Sequence, residues 1–570
     1  MMNSKKMIFS GTILLITFFG KRPKIVCVFF MLLCCVFYSE ATTSNYYNVK
    51  NYGAKGDGKI LDSPAINKAI EAADKIGGGT VFLPAGKYLS GSIRMKSNIN
   101  LQLEAGAVLL AATQKNGNTD YFDGLEKGVT PQYLDHGHTY FQNSLIWGKK
   151  LKNVSITGYG MIDGEGLVRN DVSKKVGFEE VANKSIAFLE CSNVKIENIT
   201  IFRGGWFAIL LTGCNMVTID KVIIDTNRDG IDIDCCTNTI ISNCMVNSPN
   251  DDGICPKSSY ALGRKVLTEN LTITNCQISG CEMGSMLNGT YLSSFRSNGR
   301  IKLGTESNGG FRNVAISNCT FRQCWGLAIE CVDGGIMENI SVNNLIMTNG
   351  VKYPIYITLG NRLRDPNPGV SRGKNISISN VVANQTDSTS GISIAGTENS
   401  KLENIRLSNI RIQYSGGGNK ESGLADFPEL GTGYPDPPKQ LTPAYGIFAR
   451  HIKNLELYNV TFDYLRSEFR PAMQCVDIDG IDIDRFKAKT NSETPIAQFE
   501  KINSLNITNS PVLSNGIIAL NDGKWRLVKD GEIYQLFDLE IDRNCINDVS
   551  KSEIKVLNEI KIKYKDLNIK

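Results

Sequence analysis

One recurring phrase constrains this chain more than any other feature. From residue 151 onward the order Asn, apolar, any, apolar, any, Asn, apolar returns again and again. It reads Asn193-Val194-Lys195-Ile196-Glu197-Asn198-Ile199, then Asn270-Leu271-Thr272-Ile273-Thr274-Asn275-Cys276 and Asn313-Val314-Ala315-Ile316-Ser317-Asn318-Cys319. Later copies begin at Asn339, Asn375, Asn404 and Asn454. Apolar, often β-branched residues at period two make each copy a short strand with one buried face. The copies start roughly 25 to 50 residues apart, which suits one or two coils of a β-solenoid and is too irregular for a propeller. Asn fits the bends between such strands because it tolerates left-handed backbone angles, and Asn side chains on successive coils can bond one another along the axis. The chain is therefore expected to be all-β, and its Asn-X-Ser/Thr matches are by-products of the repeat.

The ends have their own logic. Ser63 is placed to cap a helix with Pro64 in its first turn, an apolar stripe of Ile66, Ala69, Ile70 and Ala73, and Gly77 beyond it. Such a helix would cover the open core at the start of a solenoid. Past residue 510 the Asn phrase stops, a hairpin turning at Asp530-Gly531 is expected, and 557–564 suits helix or strand. The layout read from this is 42–510 for the solenoid and 511–570 for a cap or appendage. Residues 1–41 carry basic residues before two apolar runs, 7–19 and 25–38, and a polar exit. Each run is too short for a membrane span, and the arrangement is that of a signal peptide, doubled in a way that suggests a later start than Met1. A secreted or periplasmic protein is expected, with no membrane contact beyond export.

The formal charge of +5 is misleading, because the first 41 residues hold five basic residues against Glu40 alone and leave the rest near +1. A near-neutral body gives no argument for nucleic acid as a partner. Sixteen cysteines would suggest a disulfide framework, yet Cys244, Cys276 and Cys319 each follow an Asn at one place in the repeat, as small core residues do. With no CxxC pair at metal-ligand spacing and only His136, His138 and His451 as histidines, neither a metal nor a cofactor is expected.

The chemistry concentrates in Asn227-Arg228-Asp229-Gly230-Ile231-Asp232-Ile233-Asp234 and Asn250-Asp251-Asp252-Gly253-Ile254-Cys255-Pro256-Lys257. Ile231 and Ile233 set the inward face, so Asp232 and Asp234 should point outward. Asp251 follows Asp229 by 22 residues, close to one coil, and stacked coils lie about 4.8 Å apart. Both members of the Asp pair can reach one site only if the chain bends there, and Pro249 and Gly253 bracket it. Crowded carboxylates raise one another's pKa, so that one stays protonated as an acid while another is ionised as a base, the chemistry that glycosidic cleavage requires.

At these residues the chain resembles the polygalacturonase family, family 28 of the glycoside hydrolases, whose Asn-Thr-Asp and Asp-Asp motifs match Asn227-Arg228-Asp229 and Asp251-Asp252. Tyr47-Asn48-Val49, Tyr52-Gly53-Ala54-Lys55-Gly56-Asp57-Gly58 and Gly79-Thr80-Val81 resemble that family's opening, and the similarity covers roughly 46–510. The resemblance implies a single-stranded, right-handed, pectate-lyase-like parallel β-helix and hydrolysis with inversion. It makes Asp251 the general acid and gives Asp229 and Asp252 the attacking water, with carboxyl groups roughly 6.5–9.5 Å apart. Asn227 and Lys257 would contact substrate. The family's Gly-His-Gly lacks its histidine here. Its carboxylate-gripping Arg-Ile-Lys is present as Arg300-Ile301-Lys302, while an alternative register places that motif at Ala328-Ile329-Glu330. The expected substrate is a pectic or related acidic polysaccharide or oligosaccharide, polygalacturonate-like or a rhamnogalacturonan fragment, acted on by a monomer. Insertions at 113–141 and 416–442 would wall the cleft. A polysaccharide lyase and a non-catalytic glycan-binding solenoid are the alternatives.

Overall fold

The stacked strands of this computed structural model form parallel ladders that wind around one aliphatic core. It describes residues 45–113, 121–129, 133, 136–168, 182–387, 391–425, 427–435, 441–563 and 568–569. The expected export signal at 1–41 lies outside these residues, as do parts of both insertions. In the first sheet Ile146, Ile186, Ile209, Ile231, Ile254, Ile301, Leu327 and Ile355 stand in register on successive coils. In the second, Val154, Val194, Val217, Thr239, Leu271, Val314, Ile340, Ile376, Ile405, Leu455, Ile481 and Leu505 do the same. A third carries Ile162, Ile201, Ile224, Val246, Ile278 and Phe321. Nearly every rung is fully buried. The architecture is the right-handed parallel β-helix that the repeat and the resemblance imply.

The asparagines do what the repeat predicts. Asn238, Asn270, Asn313, Asn339, Asn375, Asn404 and Asn454 adopt φ between +54° and +63°. Each donates its amide to the Asn one coil before, at 2.8 to 3.2 Å. A second file runs through Asn318, Asn344 and then Asn380, Asn409 and Asn459. Cys244, Cys276 and Cys319 are buried core rungs, and all thirteen cysteines among the described residues are unbridged.

The helix at the entry, Ser63–Asp74, buries Ala65, Ile66, Ala69, Ile70 and Ala73. Its cap differs from expectation. Ser63 is the first helical residue, and its hydroxyl accepts from Gly91 N at 3.1 Å. Asp62 holds the cap position but turns its carboxylate to the backbone N–H groups of Lys55 and Gly56, at 2.6 and 2.9 Å. A carboxylate can satisfy two donors of a tight loop, and here that use displaces helix capping.

The stacking also runs past residue 510. Ile518–Asp522 pairs in parallel with Ala497–Ile502, and Trp525–Asp530 and Ile533–Asp538 then add an antiparallel hairpin. The hairpin turns at Asp530-Gly531, as expected, and Ile554–Lys563 is helical with Ile560 buried in the same core. Parallel pairing thus continues across residue 510, and the described part of 511–570 packs on the last coils.

Candidate active site

Three successive coils of the first sheet build the site. Asp229 opens strand Asp229–Asp234, Asp251 and Asp252 precede strand Ile254–Lys257, and Arg300 and Lys302 come with strand Ile301–Leu303. The chain bends through 249–251 as predicted, which lets both members of the Asp pair face the cleft. Backbone bonds zip the bend to its neighbours: Gly230 N to Asp252 O at 3.0 Å, and Gly253 N to Arg300 O at 2.9 Å. Glycine is required at 230, where a Cβ would lie 2.4 Å from Gly253 O.

Asp229, Asp251 and Asp252 each bring one carboxylate oxygen within 4.8 Å of the others. This is tighter than the separation of roughly 6.5–9.5 Å expected for a water held between acid and base. The protein sets counter-charges against these three close carboxyl groups. Asp251, half-buried, is paired with Arg228, whose guanidinium lies 5.2 Å from the Trp206 ring. Asp252 receives Arg300 Nε at 2.6 Å and Lys302 Nζ at 2.7 Å. Burial acts to raise its pKa, but Arg300 and Lys302 outweigh it and hold Asp252 below the usual carboxylate range. Asp229 goes the other way. Burial and then the charges of Asp251 and Asp232 push its carboxyl well above the ordinary value, against Lys257 and Arg228. The two buried carboxyls are thus pushed in opposite directions, Asp229 upward and Asp252 downward, and the cluster faces four cations of the chain itself, Arg228, Lys257, Arg300 and Lys302.

Beneath it lies a buried ionic layer. Lys257, expected to touch substrate, lines the cleft and is also held 3.4 Å from Glu306, 3.7 Å from Asp232 and 4.0 Å from Asp229. Burial opposes its charge, but Asp232 and the other acidic neighbours raise its pKa well above the usual lysine range. Glu306 is kept below its ordinary value, the penalty of burial being exceeded by Lys257 and then Arg362. Asp232 and Asp234 point away from the coil interior, as the pattern requires, but are not exposed. Both are fully buried, Asp234 accepting from Ser259 N and Oγ at 2.8 and 2.6 Å. The cover comes from chain remote in sequence: His138 is buried with Nδ1 4.0 Å from Asp234, and its ring packs 4.9 Å from Phe207. His138 is thus fully buried and is not among the groups that line the cleft.

The cluster opens into a cleft of about 710 Å³ walled by Trp206, Trp325, Phe295, Arg296, Lys352 and Tyr434. Arg300 and Lys302 are buried here and are not exposed strand residues. Arg300 also faces Glu330, the residue of the alternative register, at 3.7 Å, so the two registers meet in one contact. Asn227 is not among the lining groups; its carbonyl accepts from Asn250 N at 3.1 Å, and Asn250 and Asn298 line the cleft in its place. Sequence reasoning missed the two tryptophans, Tyr434 and the pairing of Arg228. The one available signal was Arg228, which stands where the family motif has Thr.

Fold and site together define a class: a parallel β-helix whose outward sheet bears an aspartate cluster in a cleft lined by cations and tryptophans. The profile of the family "Rhamnogalacturonase A/epimerase, pectate lyase-like" matches residues 46–345, over half the chain, and the protein belongs to that family. It is 29% identical over 326 residues to a probable polygalacturonase of Vitis vinifera, covering 54% of this chain and 62% of the relative. It is 26% identical over 346 residues to an exo-poly-alpha-D-galacturonosidase of Dickeya chrysanthemi, covering 55% and 54%. The match thus spans little more than half the length of these relatives. Among solved structures, the exopolygalacturonase of Thermotoga maritima aligns with a TM-score of 0.56 at 21% identity, over 73% of this chain and 91% of that one. The polygalacturonase resemblance in the Asp motifs agrees with these relatives, and the fold with this structure.

Proposed function

We propose that this protein is an exported glycoside hydrolase that cleaves an acidic pectic polysaccharide, polygalacturonate or a rhamnogalacturonan fragment. The observation that carries the reading is the cluster itself: three carboxylates from adjoining coils, one oxygen of each within 4.8 Å of the others, opening to solvent through a cleft. Asp251 is the member open to the cleft, and it takes the role of general acid that the family resemblance gives it, protonating the leaving oxygen. Asp252 is ionised at the outset and receives the proton of the attacking water, which Asp229 helps to hold. A carboxylate stabilised by two cations is a weak base, and that suffices where an oxocarbenium-like transition state needs water oriented more than deprotonated. Cations outnumber carboxylates among the lining groups, and Arg296 stands exposed at the rim where a uronate carboxylate would meet it. The tryptophans offer flat apolar faces to sugar rings.

Inversion comes from the resemblance, and the short carboxylate separation does not add to it. Proton NMR of the first-formed product tests it, the opposite anomer being expected. The roles are tested by incubating the protein and its Asp251→Asn variant with defined pectic oligosaccharides. Loss of a positioned general acid should slow cleavage by about 10²–10⁴-fold. Identical products at similar rates from both proteins would overturn the assignment, and an unsaturated product absorbing in the ultraviolet would make the protein a lyase.

A further inference from the structure

The sheet that carries the catalytic aspartates continues, and its outward face opens into a second cleft of about 690 Å³. From Ile254–Lys257 the parallel pairings pass through Ile301–Leu303, Gly326–Cys331, Tyr353–Leu359 and Ile392–Ala395 to the start of Ile447–Tyr464. Those five steps of about 4.8 Å put the near edge of the second cleft roughly 24 Å from Asp252 along the axis. One outward row joins the two. It runs in register from Lys302 in the catalytic cleft through Tyr356 and Phe448 to Gln474 and Gln498 on the floor of the second.

The second cleft is walled by the segments that the Asn repeat does not explain. Arg526 of the C-terminal hairpin reaches back to Asn521 Oδ1 at 2.9 Å and to Gln498 Oε1 at 3.3 Å, while Lys524 and Arg543 stand at the rim. On the other side, Arg450 donates to the carbonyls of Phe427 and Pro428 at 2.7 and 3.0 Å, and the Phe427 ring packs 4.7 Å from Phe448. The segment 427–435 therefore contributes Phe427 to this cleft and Tyr434 to the catalytic one. The floor holds polar groups that the fold leaves unsatisfied: Gln474 Oε1 and Arg450 Nε are buried with no hydrogen-bond partner. Side-chain amides, an aromatic edge and a surplus of cations over Glu500 and Glu540 are the groups that hold hydroxyls, ring faces and carboxylates of an acidic sugar.

We infer that this second cleft binds a remote stretch of the same acidic polysaccharide, so that the C-terminal segment of the protein serves to hold polymer along the sheet. The ligand class rests on the hydrolase reading, and the existence of the site does not. Two weak contacts on one polymer reinforce each other through effective concentration, so losing one should cost affinity for polymer.

The test uses the full chain carrying Asp251→Asn, run by affinity electrophoresis in gels containing graded polygalacturonate or rhamnogalacturonan, beside the same chain with Gln474→Ala and Arg543→Ala added. Weakening of polymer retardation by about tenfold or more on at least one polymer is expected, at an unchanged melting temperature. Arg543→Glu alone, at an exposed position, provides the comparison if the double variant folds poorly. Equal retardation of all forms on both polymers overturns the second site. Retardation that depends on 474 and 543, in a protein whose unmutated form cuts neither polymer, overturns the hydrolase reading and leaves this inference standing.

Discussion

Asp229 and Asp252 stand one coil apart and titrate in opposite directions, and this sets the behaviour of the site residue by residue. Asp252 has a folded pKa below its ordinary value, so its contribution to stability is complete above the usual carboxylate range and is lost as pH falls through the folded value. At neutral pH, Asp252→Asn strands Arg300 and Lys302 without their counter-charge and should cost about 3–5 kcal/mol. Asp229 has a raised folded pKa, so its contribution is complete below the usual carboxylate range and declines as pH rises through the folded value. Asp229→Asn removes that decline, and its melting temperature at pH 8 should equal or exceed that of the parent. Melting curves of both variants at pH 5 and pH 8 check the contrast, and equal losses in the two would contradict it. Arg228→Ala should move the basic limb of the pH–rate profile upward, since Arg228 lowers the proton affinity of Asp229 and pairs with Asp251. The three aspartates were legible because motif and one-coil spacing coincide. The partners of Asp252 were present in Arg300-Ile301-Lys302, but their target was not, since adjacency across coils depends on the lengths of intervening loops.

At the scale of the element, the Asn files and the aliphatic ladders divide the labour. An Asn in the left-handed region is replaced at little cost by Gly and at greater cost by Ala. Asn313, at φ +56° and bonded to neighbours on both sides, is a direct case. Asn313→Ala should destabilise by about 1–2 kcal/mol from backbone strain alone, and Asn313→Gly by less, as read by denaturant melts. Ile231→Ala, which empties one rung beneath the active site, should cost about 2–5 kcal/mol. The strands could be read from period two, and their bends from Asn. The burial of the outward face at Asp232 and Asp234 could not, because alternation reports which side faces the coil interior and says nothing of what later covers the other side. The cap at Asp62 escaped for a similar reason: a loop seven residues earlier competes for the carboxylate that a local rule assigns to the helix.

For the molecule as a whole, the parallel stack from the N-terminal helix to Ile518–Asp522 buries one continuous core, to which Leu527, Leu536 and Ile560 of the C-terminal segment also belong. Truncation after residue 510 should therefore expose the last coil and yield aggregated protein, or protein of markedly lower melting temperature, in size-exclusion and melting experiments. The Asn phrase ends near 510, whereas strand pairing needs only the alternation and continues without it. Among the described residues no helix is long and apolar enough to cross a membrane. The central claim is that the aspartate cleft hydrolyses an acidic glycan. Proton NMR of a fresh digest of pectic oligosaccharides tests it most directly: new saturated reducing ends that form with the parent protein and slow by at least about 100-fold with Asp251→Asn are the predicted result, and vinyl protons of an unsaturated uronate, or equal rates from the two proteins, would contradict it.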